Sequence, residues 1–439
     1  MRSAAGWRVV TGLLAVCVLL SACSRMSSQP PSGQEPGTAI LFLSANKEGE
    51  GSARIISELS KEYQAEHPEV DYKFEYVAES DLYQRIQLLA ASNDLPMLFN
   101  YQYGKPLSDL IQSHAVLELE QTFRQLGMYD LLNPTAVQLL KGNVGDTGLY
   151  ALPLEMNIEG FWYNKEIFGR YGLHEPQTWE ELLDISRILK QEGVQPFAVA
   201  GKEKWPITRL INAYIIRKYG VDAMEKVDSG QLAITDAGFE EAVQTVQNMG
   251  LKGYFGDAVN TINMDTSVDM FLNGETAMFY MGSWQLRAFN DELRNRIGAD
   301  QIGFFSIPLV PGGAGRLNEY PVNAGLTTSF SRGGYTDEVS GWMQYVFTRY
   351  GERALSELGM VTGFKVDPMP QNLPSLTRMV QQKINEVEKG ALWFEARFST
   401  KAQTLAWNNA QILITNPSFS PREYLSQLQA QFDRDREGE

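Results

Sequence analysis

Between Pro153 and Gly160 three polar residues recur at every second position: Glu155, Asn157 and Glu159. Two carboxylates this close raise the question of acid–base chemistry, and geometry tests it. In an extended chain all three side chains share a face, and the two carboxylate-bearing residues stand ~13 Å apart, whereas a hydrolytic pair needs ~5–9.5 Å. A helix would close that gap through i,i+4 spacing, but Pro153 and Gly160 oppose a helix here. The stretch therefore reads as hydrogen-bonding groups, in which a carboxylate accepts and a carboxamide both donates and accepts. Other catalytic chemistry is thinly provided for. There is no P-loop, HExxH or GxSxG, and the imidazoles are limited to His67, His114 and His174. His67 precedes Pro68 and His174 lies in a turn-like Gly-Leu-His-Glu-Pro segment, which suits structural roles. The two cysteines, Cys17 and Cys23, both precede Ser24, so the body can build neither a disulfide framework nor a Cys/His metal site. Neither metal nor cofactor is expected.

The elements that must position these groups follow from hydrophobic period. Residues 38–44 form an apolar run of strand length, Ile55, Ile56, Leu59 and Tyr63 recur at helical spacing, and Val70, Tyr72, Phe74 and Tyr76 alternate with polar residues. That is a βαβ unit, and residues 81–92 followed by 96–99 repeat it. Short runs at 160–163, 196–199 and 277–280 then separate longer helical patterns at 179–191, 207–219 and 236–250. Two more strand candidates, 303–307 and 325–330, flank a Pro/Gly-rich loop at 308–315, and the stretch after Gly363 reads mostly helical. A chain of 439 residues with this alternation suggests α/β architecture in two lobes, with ligand-facing loops at the carboxyl ends of strands. The formal net charge of −15 argues against a nucleic-acid partner, since phosphate binding depends on basic surface.

The N-terminus is an address. Arg2 and Arg8 precede an apolar run over residues 9–20, too short to span a ~30 Å hydrocarbon core, and Leu20-Ser21-Ala22-Cys23 follows at once. This pattern resembles a bacterial lipobox, which implies that residues 1–22 are a signal peptide and that Cys23 carries the lipid anchor. Residues 23–37 are rich in Ser, Pro, Gly and Gln without an apolar period, the composition of a flexible tether. The folded body is expected from Thr38 onward, outside the cytoplasmic membrane.

Three segments carry a wider resemblance. Tyr150-Ala-Leu-Pro-Leu-Glu-Met-Asn-Ile-Glu-Gly-Phe-Trp-Tyr-Asn-Lys-Glu-Ile-Phe168 with Pro176-Gln-Thr-Trp-Glu-Glu-Leu-Leu183, Phe271-Leu-Asn-Gly-Glu-Thr-Ala-Met-Phe-Tyr-Met-Gly-Ser-Trp284, and the pair Trp393-Phe394 together resemble extracellular solute-binding proteins of carbohydrate ABC transporters, the maltose-binding-protein-like family. One departure is Pro96-Met97, where the family usually has Pro-Asp. The resemblance implies a two-lobe periplasmic-binding-protein-like α/β fold with three interlobe crossings and a ligand cleft between the lobes. It puts 38–153 and 306–358 in lobe one, and 154–305 and 359–435 in lobe two. The hinges would be 153–157, Ile307 and 359–364.

For the site, the resemblance implies stacking by Trp284, by Trp205 and by one of Trp393 and Phe394, since consecutive residues cannot both point into one cleft. Asn323, before Ala324-Gly325, would mark a close backbone approach to ligand. Lobe one would add Asn46, Tyr101 and Tyr103 from the loops after its strands, and Glu155 or Asn157 would bond hydroxyls at the hinge. Aromatic faces with planar polar groups suit a sugar, whose rings have apolar C–H faces and a rim of hydroxyls. The implied function is a non-enzymatic, monomeric receptor that delivers a carbohydrate, expected to be an oligosaccharide, to an ABC permease in the membrane. A secreted hydrolase and a sensor for a membrane kinase are the alternatives. The acidic balance disfavours polyanionic sugars such as uronates unless Arg209 or Lys202, beside Trp205, overrides it.

Overall fold

A computed structural model describes residues 38–437 apart from Gln102, Asn143, Asp146 and Glu388. The signal segment, Cys23 and the tether lie outside the described residues. The first apolar run forms β1 (Thr38–Ser44), with Ile40 and Phe42 fully buried. It pairs in parallel with β2 (Val70–Tyr76) and with β3 (Leu98–Asn100). The later strands are β4 (Asn157–Asn164), β5 (Gln195–Ala198), β6 (Thr276–Gly282), β7 (Ile302–Phe305), β8 (Tyr320–Asn323), β9 (Thr328–Phe330) and β10 (Gly390–Ala391).

These strands make two sheets. The first has the order β2-β1-β3-β9, with β9 antiparallel to β3. Helices Gly51–Glu66 and Asp337–Leu358 lie against each other beside it, and the Trp342 indole donates to Ser60 Oγ at 3.0 Å inside their contact. The second sheet has the order β10-β8-β4-β6-β5, and β7 pairs with the far part of β4. Its core gathers Phe161, Phe197, Leu182, Ile211 and Val243 from strands and from helices Trp179–Gln191, Trp205–Tyr219 and Ala237–Leu251. This is a two-lobe α/β architecture. Among the described residues no helix is long and apolar enough to cross a membrane.

Residues 306–323, expected with the first lobe, hold to the second sheet. Ile307 is fully buried in the second core, and β8 pairs antiparallel with β4. Arg217, a fully buried guanidinium, holds this segment to the second core. Its Nε donates to the Ile307 carbonyl at 2.8 Å, and its Nη2 donates to the Glu319 carbonyl at 2.9 Å and to Ser306 Oγ at 3.1 Å. Residues 306–323 thus lie against β4 and the second core.

Residues 152–157 bond to both 361–363 and 323–328. The Met156 N–H donates to the Val361 carbonyl and the Gly363 N–H to the Pro153 carbonyl, both at 2.9 Å. Asn157 pairs with Asn323, and the Leu152 N–H donates to the Thr328 carbonyl at 2.9 Å. A third apolar cluster, including Ala136, Leu355, Met156, Ile158 and Val361, runs continuously through this region.

Candidate ligand-binding site

Strand pairing assembles the site. Strand β4 runs antiparallel to β6 with Glu159 opposite Gly282, so the start of β4 lies beside the carboxyl end of β6 and the turn carrying Trp284. Ligand-facing loops collect at such strand ends. Gly282 is needed here, because a Cβ at that position would overlap the Trp284 ring.

Glu159 is 1% exposed, and its Oε1 accepts from Nη1 of Arg209. Arg209 lies one helical turn after Trp205, which sets the two side chains on the same side of their helix. The Arg209 Cζ stands 5.4 Å from the Trp205 ring centroid and 5.2 Å from that of Trp393, within cation–π range of both. The Trp205 and Trp284 centroids are 6.0 Å apart with ring planes at 61°. Two partly exposed indoles thus flank one guanidinium, and a third, Trp284, adjoins the first of them. Trp393 is fixed from behind: the next turn, Phe394–Arg397, buries Glu395, whose Oε1 accepts from Trp407 Nε1 at 2.7 Å and from Thr208 Oγ1. Burial pushes the Glu159 carboxyl up, and the Arg209 guanidinium pulls it back. The Tyr280 hydroxyl is held well above the usual phenol range, first by burial and then by the neighbouring Glu159 charge.

A carboxamide relay continues toward the hinge. Asn157 Nδ2 reaches Glu155 Oε2 and Asn323 Oδ1, each at 3.4 Å, and its Oδ1 accepts from Ser283 Oγ at 3.1 Å. Asn323 Oδ1 also accepts from the Gly325 N–H at 3.1 Å. Gly325 has φ +62°, and a Cβ there would lie 2.5 Å from Glu155 Oε2, so glycine both permits the turn and leaves room for the carboxylate. Glu155 is pushed above the ordinary carboxylate range by burial, with Asn157 acting against that shift.

The residues expected in the site separate into two groups. Glu155, Asn157, Asn323, Trp205, Trp284 and Trp393 belong to the connected cluster just described. Asn46 sits half-buried in the bend after β1, near Asn100, whose Oδ1 accepts from Ser44 Oγ at 2.7 Å and from the Ala45 N–H at 3.1 Å. Tyr101 is 1% exposed, packed against Phe99 and Tyr83. Tyr103 gives its hydroxyl to the Leu140 carbonyl, and burial raises its pKa. Phe394 is fully buried against Phe239 and Phe398, so Trp393 is the member of that pair left at the surface. The joining of Glu159 to Arg209, and the bracing roles of Glu395 and Ser283, lie beyond sequence reasoning, though the alternation 155-157-159 already put Glu159 on the right face. Among the described residues no group of three or more His, Cys, Asp or Glu could hold a metal ion.

Comparison with known proteins bears on the fold and the family. An uncharacterised ABC transporter extracellular-binding protein of Pyrococcus horikoshii is 23% identical over 293 residues, 63% of each chain, so the match spans under two thirds of that relative. The multiple sugar-binding protein of Streptococcus mutans is 22% identical over 316 residues, 69% of this chain and 70% of the relative. A solved chitin oligosaccharide binding protein superposes with a TM-score of 0.77 at 21% identity, covering 91% of this chain and 99% of the other, which shows a shared fold. All three are named as binding proteins and none as an enzyme. The sequence profile of the bacterial extracellular solute-binding proteins matches residues 47–346, most of the chain, and this protein belongs to that family.

Proposed function

We propose that this chain is a lipid-anchored extracytoplasmic receptor that closes around an oligosaccharide and passes it to an ABC permease. The observation that carries the reading is the gathering of Trp205, Trp284 and Trp393, bordered by the carboxamides of Asn157 and Asn323. Indole faces match the apolar C–H faces of sugar rings, and carboxamides match vicinal hydroxyls by donating and accepting at once. More than one indole suits more than one ring. Relatives named for multiple sugars and for chitin oligosaccharides support the same class of ligand. Leu20-Ser21-Ala22-Cys23 supports the anchor. Ligand would shift an equilibrium between open and closed lobes by contacts available only when both lobes meet around it, and the permease would take the closed form. Micromolar affinity corresponds to about −8.2 kcal/mol, within reach of a few stacked rings and a rim of hydrogen bonds.

The test is a thermal-shift screen of the body from Gly37 onward against mono-, di- and oligosaccharides, with thin-layer chromatography of each hit. A ligand at 100 times its Kd adds about 2.7 kcal/mol and should raise the melting midpoint, and the sugar should be recovered intact. Absence of any shift across the panel, or recovery of shorter products, would refute the reading.

A further inference from the structure

The guanidinium among the tryptophans is not free to meet a ligand's charge. Arg209 is the cation that reaches both the Trp205 and the Trp393 faces, and alone it would make the site an acceptor for carboxylates. Its Nη1 instead meets Glu159, a residue sealed within the protein, while its Nε is buried without a partner. One further carboxylate adjoins the pair. Glu395 is buried with Oε2 unpartnered, and its charge bears on Glu159. The Arg209 guanidinium is therefore already engaged by Glu159, with the Glu395 carboxylate nearby. A ligand carboxylate entering here would lose its hydration and meet a guanidinium whose charge is spent, with acidic groups close by.

The geometry points to the Glu159–Arg209 pair as the selectivity element of this site: Glu159 masks the guanidinium, so the indoles accept uncharged oligosaccharides and reject uronate-bearing ones. This rests on the sugar-receptor reading and adds a substrate class to it. The pair also separates two roles of arginine. It keeps the planar cation that braces two tryptophan rings, and it withholds the charge that would attract anions.

The experiment is titration calorimetry of the wild type and of Glu159→Gln with uncharged probes (raffinose, maltotriose, xylotriose and N-acetylated chitotriose) and acidic ones (trigalacturonate and cellobiouronate). The wild type should bind at least one uncharged probe and neither acidic one. Glu159→Gln, with folding checked by its melting curve, should lower the ratio of uncharged to acidic affinity at least tenfold. Wild-type binding of an acidic probe as tightly as an uncharged one, or an unchanged ratio in folded Glu159→Gln, overturns the assignment.

A second measurement needs no ligand. Iodide, an anion, and acrylamide, which is uncharged, quench tryptophan fluorescence in a ratio set by local charge. That ratio should rise in Glu159→Gln and stay at the wild-type value in the double variant Glu159→Gln with Arg209→Met, because a masked cation attracts no iodide. A fall in the folded double variant, or no rise in folded Glu159→Gln, overturns the masking. Should the wild type bind no sugar at all, the receptor reading fails while the quenching ratio still decides the masking.

Discussion

A single indole and a single carboxylate allow the sharpest tests. Trp284 keeps its ring partly exposed, at an angle to Trp205, and Gly282 beneath it makes the pose possible. Removing a stacked indole forfeits both its burial against sugar and its face-on contact. Trp284→Ala should weaken binding of the sugar found in the screen at least tenfold, or about 1.4 kcal/mol. Unchanged affinity by calorimetry would remove Trp284 from the site. Glu155 answers to pH. Burial raises its pKa in the folded protein above the unfolded value of about 4.3, so the folded state holds the proton more tightly. The stability from that proton is complete below the unfolded value and is lost as pH rises through the higher folded value. Glu155→Gln avoids this loss, so the ligand-free variant should melt above the wild type at pH 8 and level with it at pH 4. Equal midpoints at both pH values would mean that the carboxylate is well compensated.

At the scale of elements, the turn Phe394–Arg397 links the site to the opposite lobe. Trp393 begins it, Glu395 anchors it, and Arg397 ends it by donating Nη2 to the Gly142 carbonyl at 3.3 Å, the last carbonyl of helix Pro134–Gly142. A cation at a helix carboxyl end is favourably placed. Thr135 Oγ1 makes a second bridge, donating to the Val387 carbonyl at 3.2 Å. Arg397→Ala should therefore speed ligand release several-fold with little change in the association rate, measured by stopped-flow tryptophan fluorescence. Equal release rates would reduce the contact to an incidental one. Much of this element structure was legible beforehand. Helix Trp179–Gln191 has the bounds that its apolar period gave, and β4 and β6 contain the expected runs at 160–163 and 277–280. Tyr101 could have been placed as well, since it shares a strand face with Phe99, and both lie in one apolar cluster. Less local features were hidden. The attachment of 306–323 to the second sheet includes bonds from Arg217, ninety residues earlier than the Ile307 carbonyl it holds. The Glu159–Arg209 pair likewise spans 50 residues, and no spacing rule reaches that far.

For the whole molecule, two sheets with separate cores predict a body that changes shape as two units. Saturation with the sugar identified by the screen should reduce the radius of gyration in small-angle X-ray scattering, by about 0.5–1 Å for a hinge closure. An identical scattering curve with and without bound sugar would contradict closure. The anchor is tested in cells of the native host: Cys23→Ala should move the protein from the membrane fraction to the soluble one, and retention in the membrane would point to another attachment. The hinge itself has a further consequence. Its three strands of chain are laced to one another by backbone hydrogen bonds at 153–363 and 156–361 and by the pairing of 157 with 323, so they flex as one ribbon. A ribbon bends readily across its plane and resists shear and torsion within it. If the receptor closes as proposed, motion of the lobes would be confined close to a single angular coordinate, and the angle at which the jaws stop would be set by the girth of what they hold. A downstream partner that grips both lobes at once would be reading that angle as a caliper, gauging its cargo without touching it.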